Sequence, residues 1–481
     1  MNRLSPHFAA MLLAGCAVGP DYKVADVSAL TPAAFSDAGN GESPADWWRT
    51  LGDPALDALV ADALGANRDL RAAEANVRAA RASLGLSRYD LAPTVRTVGE
   101  YRRGRTSADG LGATIPGLPS GQPFPDTNLF DAGVTASWEI DFWGRVRRGV
   151  EASRATYESA DADRRIAEVS VTADVAAAYV ALRGAERQLG VARRNADKQQ
   201  ETRDLTESLE QAGRASSLDA SRARAQHETT LATLAPFEAE IAAQRRRLAV
   251  LTGRAPDALP GALNGLLAGD SAFPQIPKGA PAGDPATLLR QRPDIRKAER
   301  DLAAATARIG VAAGDLFPRV RFVGAIGASA SSLATYGSGA SIDYGFGPTI
   351  EWAAFDLGRV RARIRQSEAE ADGALARYEQ TTLRALEEAG NAFTSLARER
   401  ERNARLARAV LESADAAALA ASRYRAGIDG FLNVLDAERR LLDAGTAAAA
   451  SDTRTLQLLI GAYRAMGGGW QATGAVREAS R

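Results

Sequence analysis

The chain has 481 residues and carries 59 basic and 59 acidic side chains. With no net charge and no basic run interleaved with aromatics, it is not built to hold nucleic acid. One cysteine, Cys16, and two histidines, His7 and His227, exclude a disulfide framework and a clustered metal site, so no bound cofactor is expected. Aromatics make up only 6% while alanine is abundant, which suits close-packed helices better than a bulky core. No run of about 18 apolar residues occurs, so no transmembrane helix is expected.

The first element is a leader. Arg3 supplies a positive charge and Phe8 to Leu13 a short apolar stretch. Leu13-Ala14-Gly15-Cys16 then resembles a bacterial lipoprotein box, in which cleavage precedes acylation of the cysteine. Residues 1–15 are therefore read as a lipoprotein signal peptide, and 16–52 as an anchor followed by irregular chain. Cys16 is expected to carry an N-acyl and an S-diacylglycerol lipid.

From residue 53 the chain is written twice. Asp69-Leu70-Arg71, Leu84-Gly85 and Asp90-Leu91-Ala92-Pro93 recur as Asp294-Ile295-Arg296, Ile309-Gly310 and Asp315-Leu316-Phe317-Pro318, always 225 residues on. Trp138, Gly144-Arg145-Val146-Arg147, Ala212-Gly213 and Gly253 recur 214 residues on, at Trp352, Gly358-Arg359-Val360-Arg361, Ala426-Gly427 and Gly467. The loop between the strands is thus 11 residues longer in the first copy, 53–253, than in the second, 285–467. Two copies are too few for a solenoid.

Each copy has the same order. Asp53-Pro54 opens an amphipathic helix to about Leu91, with Leu56, Leu59, Val60, Ala63, Leu70, Ala73 and Val77 at helical spacing, and Pro93 stops it. A hairpin follows at about 94–142, and its counterpart at about 319–355. From Phe130 to Phe142 apolar and polar residues alternate without a miss, as they do from Ile342 to Trp352. Such strands are long enough to cross a bilayer when tilted, which takes about 9–11 residues. Aromatics at the strand ends (Phe130, Trp138, Phe142, Trp143; Tyr344, Trp352, Phe355) look like an interfacial girdle.

Proline-free stretches from about 144 to 212 and 358 to 426 predict helices of about 100 Å at 1.5 Å per residue. Gly213 and Gly427 would end them, and return helices are expected at about 216–252, with Pro236 as a kink, and 430–466. A helix of that length needs neighbours along a coiled coil or tube wall. Residues 254–284 are a Pro/Gly-rich connector, and 468–481 a tail.

Two hairpins give four strands per chain, and an open sheet in lipid leaves unpaired edges that cost several kcal/mol per group. Two chains would close an eight-stranded barrel filled by its own side chains, whereas three give twelve strands and a bore. A homotrimer is expected.

Gly19-Pro20-Asp21-Tyr22, Asp46-Trp47-Trp48 with Gly52-Asp53-Pro54-Ala55-Leu56, Arg292-Pro293-Asp294-Ile295-Arg296 with Ala298-Glu299, and Leu316-Phe317-Pro318 together resemble the outer-membrane efflux protein family. They look most like its TolC-like, NodT-type lipoprotein branch, and the likeness covers almost the whole chain. The resemblance implies a mixed fold, a membrane β-barrel plus a long α-helical barrel, assembled as a 12-stranded homotrimer continued by a periplasmic tunnel. It implies a passive conduit in the Gram-negative outer membrane that exports small molecules such as drugs and toxic compounds. Its implied partners are a periplasmic adaptor (membrane fusion protein) and an inner-membrane pump of the proton-driven RND type. The helix tips at Gly213 and Gly427 would face the adaptor. By the same likeness Arg423, Tyr424 and Asp436 would form a polar latch at the closed periplasmic mouth, with Leu432 as an apolar constriction. In the corresponding part of the first copy stand Glu210, Gln211, Leu218 and Arg222.

No histidine–carboxylate–nucleophile set or phosphate loop suggests an enzyme, and Gly110-Leu111-Gly112 does not open a dinucleotide turn. A structural coiled-coil surface lipoprotein would explain the helices but not the alternating strands. Metal-ion efflux and type I protein secretion share the implied architecture, and neighbouring genes for pump and adaptor discriminate among them.

The lipid assignment is directly testable. One acyl chain anchors only marginally, whereas several on one cysteine, at about 0.8 kcal/mol per buried methylene, hold firmly. Mass spectrometry of the mature N-terminus is expected to find acylated Cys16; an unmodified residue, or cleavage elsewhere, removes the assignment. Cys16→Ser behind a working signal peptide should still insert, because the barrel itself enters the membrane.

Overall fold

The computed structural model describes residues 17–39, 44–105, 125–258, 273–277 and 283–469. Cys16 lies outside the described residues, as do most of the first hairpin loop, much of the connector and the chain beyond 469. The elements in order are α1 (Pro54–Ala66), α2 (Arg68–Tyr89), β1 (Thr94–Gly104), β2 (Thr127–Ile140), α3 (Arg145–Gln211), α4 (Ser217–Ala232) and α5 (Leu234–Leu251). The second copy supplies α6 (Pro285–Gln291), α7 (Pro293–Gly314), β3 (Arg319–Ala330), β4 (Ile342–Glu351), α8 (Leu357–Arg425) and α9 (Phe431–Ala465). α3 and α8 have 67 and 69 residues. No described helix is long and apolar enough to cross a membrane.

The chain divides into two compact units. The first comprises Met1–Ala25, Arg78–Ser159 and Ala298–Arg377, and its centre is one antiparallel sheet in the order β1-β2-β3-β4. Registers pair Thr97 with Val134, Val134 with Ile326, and Ile326 with Tyr344, so these four share one face. Trp138, Phe322, Phe346 and Ile350 lie on the same face and are all exposed. Arg96, Thr135, Ser137, Glu139 and Arg321 occupy the other. An apolar face this continuous is not a water-facing surface. β2 ends two residues before the alternation in the sequence does. Asp141 leaves the strand, and its carboxylate accepts the backbone N–H groups of Val146 and Arg147 at 3.1 and 2.9 Å, capping α3.

Both hairpins are tied by one repeated bond to the turn that ends the helix before them. The Trp138 indole N–H donates to the Leu91 carbonyl and that of Trp352 to the Leu316 carbonyl, each at 3.0 Å. The segment after residue 16 is strapped to the same unit. Arg148, whose side chain is 5% exposed, donates to the carbonyls of Val18 and Gly19 and to the Asp21 carboxylate at 2.6 Å. Tyr22 donates its hydroxyl to Glu299. Gly19, at φ +94°, lies so close to Gly310 that a Cβ on it would sit 2.5 Å from the Gly310 Cα, so neither glycine admits a side chain without movement.

The second unit comprises Asp26–Val77, Ala160–Lys297 and Tyr378–Arg481. Its core gathers Trp47, Leu56, Leu59, Tyr179, Leu182, Leu248 and Leu456, each at most 1% exposed. Trp47 stacks on Tyr463 with centroids 5.2 Å apart. Asp53 caps α1 by accepting the Ala55 N–H and also accepts the Tyr179 hydroxyl, which in turn accepts from Arg183.

Three expected helices are broken in the structure. The helix expected from Asp53 to Leu91 stops at Asn67, whose side-chain oxygen accepts from the N–H groups of Asp69 and Leu70 while its amide donates to the Leu251 carbonyl at 2.8 Å. Arg292, the equivalent residue 225 positions on, likewise separates α6 from α7 and donates to the Ala465 carbonyl at 2.7 Å. In both copies the residue at the break satisfies an orphan carbonyl at the end of the return helix. The first return helix breaks at Thr233, three residues before Pro236, whose ring cannot donate to the preceding turn.

The two faces of the sheet make a sharp contrast for substitution. Val134→Arg or Ile350→Arg is expected to cost about 2–4 kcal/mol if placed near a bilayer midplane, read as lost folded yield in heat-modifiability gels. Thr135→Arg, one residue away on the opposite face, should fold at wild-type yield; equal loss at Thr135 and Val134 would mean that both faces are packed against protein.

Candidate functional site at the helix tips

Both helical hairpins turn through a glycine in the left-handed region, Gly213 at φ 69° and Gly427 at φ 73°. At each, the glycine N–H bonds a carbonyl three residues back (Glu210, Tyr424) and the next N–H reaches five back (Leu209, Arg423). This is the Schellman ending, which satisfies the last carbonyls of a helix.

Around Gly427 the charges pair locally. Arg423 donates through Nε to Asp429 Oδ2 at 2.6 Å and through Nη2 to Oδ1 at 3.3 Å, a fork across the turn. The Arg423 guanidinium holds the Asp429 carboxyl below the usual carboxylate range. Both groups are in contact with solvent, so the pair shapes the turn more than it stabilises the chain. Asp436 accepts from Arg440 one turn further along α9, at 2.8 Å. Tyr424 packs its ring on Phe431, centroids 5.6 Å apart, while its buried hydroxyl has no hydrogen-bond partner among the described residues. Leu432 is 59% exposed.

Within one chain, therefore, Arg423, Tyr424 and Asp436 are not bonded to one another. The six-residue step across the turn brings Asp429 to Arg423 first, and Arg440 lies one helical turn from Asp436. Asp429 was not among the residues singled out from the sequence, although its signal was present: opposite charges flanking a turn glycine.

The two hairpins are joined just behind the tips. Ala223 of α4 packs with Phe431 and Val434 of α9, and Tyr424 and Leu435 lie against that cluster. Further back, Thr202 of α3 donates its hydroxyl to Glu438 of α9 at 2.8 Å. At the first-copy tip Ser216 caps α4 through the Asp219 N–H, Arg222 lies 3.8 Å from Asp219, and Leu218 is 56% exposed. Among the described residues no group of three or more His, Cys, Asp or Glu is placed to hold a metal.

Comparison with known proteins gives a consistent picture. The family described as outer membrane efflux protein matches residues 59–254 and 285–468, which nearly coincide with the two copies of the repeat. A probable efflux pump outer membrane protein, TtgC of Pseudomonas putida, is 31% identical over 97% of this chain and 95% of its own length. Nodulation protein T of Rhizobium leguminosarum bv. trifolii is 29% identical over 92% of this chain and 91% of its own. Among solved structures, the outer-membrane channel OprN superposes with a TM-score of 0.85 at 42% identity, covering 95% of this chain and all of that one.

Glu438 offers a test of the inter-hairpin tie. Burial pushes its carboxyl above the usual carboxylate range, against the opposing pull of the Thr202 bond and the Lys198 charge. A raised folded value means stability that is full below the unfolded pKa and is lost as pH rises through the folded one. Glu438→Gln should therefore raise the thermal midpoint near neutral pH by about 1–3 °C and lose that advantage towards pH 4. A difference independent of pH would show that Glu438 does not titrate differently on folding.

Proposed function

From the premise that the chain belongs to the outer membrane efflux protein family, and so is an outer-membrane efflux channel, we propose that it works as the homotrimeric conduit of a tripartite pump. The observation that carries the reading is the sheet. Its outer strands, β1 and β4, each pair on one side only, and one face is exposed and apolar. In lipid those edges must find partners, and three chains supply the smallest closed ring with a bore. Arg96, Thr135, Ser137, Glu139 and Arg321 would then face the water inside. A periplasmic adaptor would engage the tips at Gly213 and Gly427, and an RND-type inner-membrane pump would drive small toxic compounds through.

A lipid on Cys16 fits this arrangement. Ala17 is packed close to Gly144, beside the aromatic end of β2 where Phe142 and Trp143 are exposed. An acyl chain starting one residue earlier would leave the protein at the level of the membrane surface.

The mouth is held shut, on this reading, by contacts between protomers. The exposed Asp436 and Leu432 side chains are available for them, and the buried Tyr424 hydroxyl would join them once the tip shifts to uncover it. Three charge-assisted bonds of about 1.5–3 kcal/mol each would close a narrow mouth and still yield to adaptor binding, and a ring of Leu432 would add a dewetting barrier. Native mass spectrometry in detergent should find three chains, and bilayer recordings a small resting conductance. Tyr424→Phe with Asp436→Ala should raise that conductance severalfold without changing trimer yield, and Leu432→Ala should raise it further. A folded monomer would overturn the trimer; an unchanged conductance in the combined variant would place the gate elsewhere.

A further inference from the structure

Behind the tips, the second unit contains a cleft of about 460 Å³ walled by α3, α8 and α9. Its size falls within the range of small-molecule sites, about 300–1,000 Å³. Gln199 of α3 lines it and is only 3% exposed, yet neither its side-chain oxygen nor its nitrogen meets a partner among the described residues. A buried carboxamide without partners bears its whole desolvation cost. On the α8 wall Ala417 and Ala421, one helical turn apart, leave room that longer side chains would fill, and the Tyr424 hydroxyl beside them is also buried and unpartnered. Charge does not favour an ion here: Lys198 and Arg425 line the cleft together with Glu201 and Glu438, and Glu438 already accepts the Thr202 hydroxyl.

We propose that this cleft is a binding site for a small, uncharged, planar amide, a primary carboxamide or lactam on an aromatic body, held edge to edge by Gln199. Gln199 carries a donor and an acceptor side by side, the pattern that reads a complementary planar edge through two parallel bonds once the carboxamide, closed to solvent in the empty cleft, turns towards the ligand. The ligand N–H donates to Gln199 Oε1, and its carbonyl accepts from Nε2. The aromatic body lies against the alanine wall, within reach of the Tyr424 hydroxyl. The site rests on the cleft and its unpaired groups, not on coupling to any pump, so it can fail while the channel reading stands.

The probe is para-fluorobenzamide, followed by fluorine NMR line broadening against the full-length protein in detergent, with empty micelles as the blank. Saturable broadening is expected with a dissociation constant in the millimolar range or tighter. Gln199→Leu should weaken it at least tenfold while raising the thermal midpoint of the unliganded protein, since it removes the unpaired amide. Ala421→Leu should abolish binding by filling the space, with wild-type oligomer yield as the folding control. Absence of saturable broadening up to roughly 10 mM overturns the proposal. So does wild-type affinity in Gln199→Leu, whatever Ala421→Leu does.

Discussion

Backbone hydrogen bonding in a medium without water is the constraint from which the rest of this chain follows. Four strands cannot satisfy it alone, because β1 and β4 each keep an open edge. The strands therefore have to be identical in height and register from one chain to the next. That demands a rigid frame beneath them, which the Trp138 and Trp352 bonds and the capped start of α3 provide. The apolar face carries no charge from Val134 through Ile326 to Tyr344, while Arg96, Glu139 and Arg321 lie on the other face.

The internal repeat shows which of these solutions are structural and which have been released for other uses. Both copies end their long helices in a Schellman turn, and both cap the return helix from the break in the leading helix. At that cap the copies diverge: Asn67 makes neutral bonds, whereas Arg292 adds the charges of Asp294 and Glu388 to the same carbonyl contact. The tips diverge more. Only the second has the Arg423–Asp429 fork and the Tyr424–Phe431 pair, so the second hairpin is the chemically specialised one.

Much of the fold was legible because it rests on periodicity and on glycine. The strand faces follow from a two-residue period, and the turns at Gly213 and Gly427 from the absence of a Cβ. The helix break at Asn67 was hidden because asparagine is compatible with a helix interior; only its tertiary bond to Leu251 makes it a terminus. Asp141 read as strand because it kept the polar alternation, although its carboxylate is spent on the α3 N-terminus. At the tip the residues carrying the resemblance could be named, but not their partners within the chain. Arg423 pairs with Asp429 and Asp436 with Arg440, choices set by turn geometry and not by residue type. The Gly19-Pro20-Asp21-Tyr22 motif had no physical reading until Arg148 and Gly310 were seen to receive it.

That strap sets a depth. Residues 17 to 22 are held against the first unit by a buried guanidinium, a backbone-to-backbone approach at Gly19 and a tyrosine hydroxyl, so they have no slack. Ala17 and Val18 thereby keep a fixed height relative to the Trp143 ring, which itself donates to the Pro318 carbonyl and stacks on Phe317. A tether on a loose linker would only keep a protein near a bilayer. With the proposed lipid on Cys16, one fastened this short would work as a gauge, setting how far the sheet sinks before that attachment stops it.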